Sequence, residues 1–162
     1  MSLTSAEKVL LAATLIGMTH HLDHVLRLDH SGWPFRPDVT PFTYSLLVYP
    51  VIAFIFLVRR RPWARVVGAA SIFGFTTFSH SYFETPLDQW HTWAHGSRSA
   101  EYAGVTNLLG LQSEVLGGLA VVITVALSGA FLGATVLLTR EAVGRPAARR
   151  TKRRVEPSEL TV

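Results

Sequence analysis

The chain contains no cysteine. Disulfides, thiolate metal ligands, thiol redox chemistry and iron–sulfur clusters are therefore excluded, and a bound metal would need nitrogen and oxygen donors. Charge is scarce as well. Asp, Glu, Lys and Arg make up 16% of the residues, against roughly 25% in an ordinary soluble domain. The hydrophobic share of 49% is unexceptional. Its distribution is not, because the apolar residues gather into runs almost free of charge.

Four such runs stand out, at about residues 9–28, 39–58, 66–83 and 115–138. A helix needs about 20 mostly apolar residues to cross ~30 Å of hydrocarbon. The second and fourth runs meet that length, and the third is short. The first is apolar in its first half, VLLAATLIGM, and mixed in its second, THHLDHVLRL. It lacks the small-residue cleavage site of a signal peptide and reads as a retained helix. The expected fold is all-α: an integral membrane four-helix bundle over residues 1–144, followed by a basic, disordered cytoplasmic tail at 145–162.

Charge sets the expected orientation. Lys8, the Arg59-Arg60-Arg61 run with Arg65, and the tail hold 12 of the 15 basic residues on one side. The other side keeps Arg27, Arg36 and Arg98 beside Asp23, Asp29, Asp38, Glu84, Asp88, Glu101 and Glu114. The positive-inside rule then makes both termini cytoplasmic, in a multi-pass protein of the cell membrane. The lipid bilayer is the principal partner. The basic tail suits anionic lipid and not nucleic acid, and a homo-oligomer or a larger membrane complex fits the same pattern. In the outer connection between the third and fourth spans, the segment WHTWAH suggests a short amphipathic helix lying in the interface, with Trp90 and Trp93 in lipid.

All seven histidines fall on the extracytoplasmic side. His20, His21, His24 and His30 follow the first apolar run, and His80, His91 and His95 follow the third. His20 with His24, His80 with Glu84, and His91 with His95 are each four residues apart, which on a helix places both side chains on one face. Polar groups at membrane depth are costly unless they meet protein, water or a metal. The expected ligands are His20, His24, His80, Glu84, His91 and His95, with His21, Asp23 and Asp88 as additional or outer contributors. His30 lies in a turn beyond the span and reads as incidental. Glu84 and Glu114 are the candidate catalytic acids, Glu114 because it abuts the longest apolar run and is expected to face into the bundle beside Asn107.

Imidazole and carboxylate together suit zinc, iron or copper, as one ion or two. Three protein ligands with an open position would activate water or dioxygen next to a small or lipid-soluble substrate. The leading expectation is therefore a membrane metalloenzyme, hydrolytic or oxidative. HHLDH lacks the glutamate that follows the first histidine of a zincin motif. The alternatives are a haem b or quinone electron carrier using His24 and His80, a transporter, or a non-catalytic membrane subunit. The inner halves of the runs offer only Thr14, Ser71, Thr124, Ser128 and Thr135 for a transport path.

Overall fold

The computed structural model describes residues 2–27, 41–97 and 107–154, and over these it is helical throughout, without strands. Six helices follow in order: α1 (Ser5–Arg27), α2 (Pro41–Ser45), α3 (Val48–Leu57), α4 (Pro62–Tyr82), α5 (Pro86–His95) and α6 (Glu114–Arg154). Two of them, Ser5–Arg27 and Glu114–Gly144, are long and apolar enough to cross a membrane. His30, Asp29, Asp38, Trp33 and Glu101 lie outside the described residues.

Local chemistry explains the boundaries. Thr4 and Glu7 form a capping box at the start of α1, Thr4 N donating to Glu7 Oε2 (3.0 Å) and Glu7 N to Thr4 Oγ1 (3.3 Å). The run expected at 39–58 is divided, with a turn at Leu46–Leu47 between α2 and α3. Pro50 accounts for this break: it has no N–H to give and its ring crowds the carbonyl four residues back. Pro62 opens α4 at its first turn, a position where the missing N–H costs nothing. α4, with 21 residues, is not one of the two helices long and apolar enough to cross. α5 occupies the connection where a short amphipathic helix was expected, and Thr85 with Asp88 forms its capping box. The backbone of α6 stays helical through Arg154, past residue 145, where a disordered tail was expected to begin.

α6 packs against α1, α4 and α5, while α3 packs against α4 and more lightly against α1. Each of the long helices buries one stripe at helical spacing. On α1 the stripe is Ala6, Leu10, Ala13, Gly17, His20, His24 and Arg27. It is apolar along its first half and polar along its second, so one face serves first as core and then as site. On α6, Ala120, Thr124, Leu127, Phe131, Ala134 and Leu138 are buried at the same period. Leu10, Ala13, Ile52, Ile55, Ile72, Leu127 and Phe131 are part of the central apolar cluster.

Two polar layers flank this cluster. At one end Glu7, 1% exposed, receives Arg59 Nε and Arg65 Nη2 at 2.9 Å each. Arg65 also reaches Glu141 Oε2 at 3.3 Å. The start of α1, the α3–α4 turn, the start of α4 and the later part of α6 are thereby tied together. The histidines occupy the other end.

Candidate metal centre

His20 and His24 stand one turn apart near the end of α1, and His80 stands near the end of α4. A ligating atom from each lies within 4.8 Å of the other two. His20 and His24 Nε2 atoms are 3.0 Å apart. Two ligands at 2.0–2.1 Å from a tetrahedral ion would be separated by about 3.3 Å, so small side-chain shifts suffice to seat a metal. His20 and His80 ring centroids are 4.6 Å apart. Helical spacing along α1 therefore brings two donors together, and the packing of α1 and α4 around α6 supplies the third.

Glu84 joins the group from just beyond α4. The helix ends at Tyr82, and Glu84 N bonds back to Ser79 O at 3.1 Å. This tight turn carries the carboxylate inward, where it is 1% exposed. Glu84 Oε1 accepts from Arg27 Nη1. Glu84 Oε2 lies 3.5 Å from His24 Nε2 and 3.7 Å from His80 Nδ1. Arg27, 1% exposed, also gives Nε to Asp23 Oδ2 at 2.7 Å, and Trp93 Nε1 donates to the second oxygen of Asp23 at 2.8 Å. Each buried carboxylate thus faces a cation and further donors, the condition under which buried charge is tolerated.

The hydrogen bonds run in a consistent direction. Thr124 Oγ1 donates to Gln89 Oε1 (2.8 Å), so its single proton is used there. His20 Nδ1, 3.3 Å away, then donates to Thr124 Oγ1, leaving His20 Nε2 with a free lone pair. His24 Nε2 donates to that lone pair, and His24 Nδ1 accepts from Arg27 Nη2 at 3.3 Å. Gln89 Nε2 completes the set by donating to Glu84 Oε2 (3.2 Å) and His80 Nδ1 (3.0 Å). An ion on the two Nε2 atoms would replace the proton between them; His24 would then carry its proton on Nδ1, and Arg27 Nη2 would give up that contact while Arg27 keeps Asp23 and Glu84.

The other expected residues are placed differently. His21 lines the same cavity but stands outside the triad, its Nδ1 2.6 Å from Tyr49 Oη and its Nε2 2.8 Å from Ser45 Oγ. His91 and His95 lie together on α5, with ring centroids 5.0 Å apart, and His95 is exposed. They do not belong to the triad. Asp88 serves the cap of α5, accepting from Thr85 N at 3.1 Å and from Thr85 Oγ1 at 2.7 Å. Trp93, expected in lipid, is 4% exposed and bonded to Asp23.

Glu114 corrects the expectation that it faces the bundle. It is exposed, at the first position of α6. The helix starts here because Ser113 Oγ accepts from Leu116 N (3.2 Å), and an acid in the first turn suits the positive end of the helix dipole. The residues before it form a turn: Asn107 Oδ1 accepts from Leu109 N and Leu111 N, and Gly110 adopts φ 63°. Asn107 is therefore a buried turn residue and shares no helical face with Glu114.

Gln89, Thr124 and Trp93 were missing from the expected set. Gln89, Thr92 and Trp93 form the buried side of α5, and the capping box at Thr85 marks where that periodicity begins. α5 seats closely on α6: a Cβ on Gly117 would lie 2.6 Å from Trp90 O. This approach brings Gln89 to Thr124.

A cavity of about 50 Å³ adjoins the histidines. His20, His24, His80 and Glu84 line it together with the apolar side chains of Ala13, Ile52, Phe75, Leu127 and Phe131. The arrangement can hold one ion with an open position toward a mostly apolar space. Comparisons with protein-family models, with curated proteins and with solved structures give no match.

Proposed function

We propose that this chain is a multi-pass membrane metalloprotein in which His20, His24 and His80 bind a single transition-metal ion. The observation that carries the reading is the convergence of three imidazole ligand atoms within 4.8 Å from two separate helices. Three histidines that leave a coordination position open are the donor set of catalytic zinc sites, and they also suit copper and iron. Such an ion polarises a bound oxygen or generates a nucleophile at neutral pH. The chain's own residues complete the site. Glu84 Oε2 lies near both His24 Nε2 and His80 Nδ1, and Gln89 Nε2 bridges it to His80, so the carboxylate and the amide together hold these rings in place. Arg27 fixes Glu84 from the opposite side. The reaction class that fits is metal-dependent chemistry, hydrolytic or oxidative, on a small or lipid-soluble neutral molecule entering the apolar cavity.

We read the bundle as crossing the membrane four times, α2 and α3 together forming the second span. The Glu7, Arg59, Arg65 and Glu141 layer supports a cytoplasmic assignment for that end, because the clustered basic residues of the sequence flank it. The histidines then face the extracytoplasmic side. One ion, and not two, fits the donors: among the described residues a single group of three or more potential ligands converges. The haem alternative is disfavoured, since a cavity of about 50 Å³ has no room for a porphyrin between His24 and His80.

Cobalt(II) titration of the purified protein in detergent tests the reading. One equivalent should give the intense visible bands of a low-coordinate ion in wild type and none in His80→Ala. Octahedral-type weak bands in both, or a Soret band in protein as purified, would contradict it. The chain's lack of cysteine allows the topology to be tested by single introduced cysteines. Thr4→Cys should react only from the cytoplasmic side and Glu114→Cys only from the outside, both positions being exposed.

A further inference from the structure

Resting on the metal reading above, we infer that the cavity beside the histidines is a binding site for a neutral diatomic molecule of the dioxygen class. The site's resident ion would then be a reduced redox metal, copper(I) or iron(II), and not zinc. Three observations lead there.

Size comes first. The cavity measures about 50 Å³, roughly a third of the ~150 Å³ apolar cavity that accepts benzene. Aromatic rings and acyl chains are too large for it as it stands, whereas a molecule of two or three heavy atoms fits.

Polarity comes second. Away from the histidine end, the wall includes Ala13, Val48, Ile52, Phe75 and Leu127. A charged ligand would lose its hydration there without replacement. A neutral diatomic loses little, and it dissolves better in hydrocarbon than in water, so apolar helices offer it a path.

The third observation is an unused hydrogen-bonding group. Ser79 lines the cavity one residue before His80, and its Oγ is buried with no hydrogen-bond partner. Buried polar atoms without partners are uncommon and call for an explanation. A hydroxyl in the cavity wall can donate to a diatomic ligand polarised by the adjacent ion, and it has no other assignment in the fold. The ion's open position would face this space, because all three histidines line it.

The test uses carbon monoxide as the probe. Purified full-length protein is loaded anaerobically with copper(I), and in parallel with iron(II), and metal is counted per chain. Carbon monoxide is then added and its infrared stretch recorded. Wild type should show one sharp band at one equivalent of carbon monoxide. Val48→Phe and Ile52→Phe fill the cavity without touching a ligand. They should keep the metal and lose at least ten-fold in carbon monoxide affinity. Ser79→Ala should keep both metal and carbon monoxide but shift the band. Xenon uptake by the metal-free protein, followed by xenon NMR, should be present in wild type and lost in the two filled variants. Stoichiometric metal without a carbon monoxide band, for both ions, overturns the diatomic site and leaves the metal site standing. Equal affinity in the filled variants also overturns it. If wild type takes up no metal, the metal reading fails and the diatomic site falls with it.

Discussion

Arg27 on α1 and Glu84, 57 residues later, form an ion pair in which both side chains are almost wholly buried. The same guanidinium holds Asp23 and touches His24, so one cation organises two carboxylates and one imidazole. Arg27→Met would leave two buried carboxylates without their cation. Removing one partner of a buried pair costs about 3–5 kcal/mol. Thermal unfolding in detergent should show a large loss of stability for Arg27→Met and a smaller one for Arg27→Lys, which keeps the charge but not the fork that spans both acids. Wild-type stability in Arg27→Met would show that the pair does not organise the site.

Thr124 and Gln89 touch the histidines without being expected ligands. Outer partners of this kind typically contribute 10–100-fold to metal affinity. Thr124→Val removes the acceptor of His20 Nδ1 with little change in volume, and Gln89→Leu removes the amide between His80 and Glu84. Each should weaken metal binding by about that factor while stoichiometry at saturation stays the same. Competition titration against a chelator of known affinity measures it, and unchanged affinity in both variants would argue that the chain of hydrogen bonds is incidental to metal binding.

The opposite end of the bundle offers a control. Glu7→Gln leaves Arg65 buried with Glu141 as its remaining carboxylate partner, and Arg59 without its partner Glu7. Stability should fall by about 3 kcal/mol, the lower end of the range for a broken buried pair, because Arg59 is one-third exposed. Metal bound per folded chain should not change, since this layer lies at the far side of the apolar cluster. Metal loss in Glu7→Gln at a temperature where the protein stays folded would show that the two layers are coupled.

How much of this was legible beforehand depended on whether the relation was local. His20 with His24 could be read from spacing alone, because a helix places residues four apart on one face. So could the division of α1 into an apolar and a polar half. That His80 would meet them could only be expected, since convergence across 60 residues depends on how α1 and α4 pack around α6. Gln89 and Thr124 carried no signal as a pair: one is a lone amide on a ten-residue helix, the other a lone hydroxyl in an apolar run. Glu114 misled for the opposite reason. Its place beside the longest apolar stretch suggested depth, but Ser113 caps the helix there and leaves the acid outside. His91 and His95 have the same four-residue spacing as His20 and His24, yet α5 turns its other side, with Gln89 and Trp93, to the interior. Spacing identifies a shared face, and only packing decides which face is inside.

The central claim is that two distant histidine-bearing helix ends form one metal site, and elemental analysis tests it most directly. The protein should be purified without chelating resin, as wild type, His24→Ala, His80→Ala and the control His95→Ala. The account predicts one transition-metal ion per chain in wild type and in His95→Ala, and loss of that ion in both His24→Ala and His80→Ala. Wild type without stoichiometric metal, or full retention of metal in either of the two site variants, would contradict it.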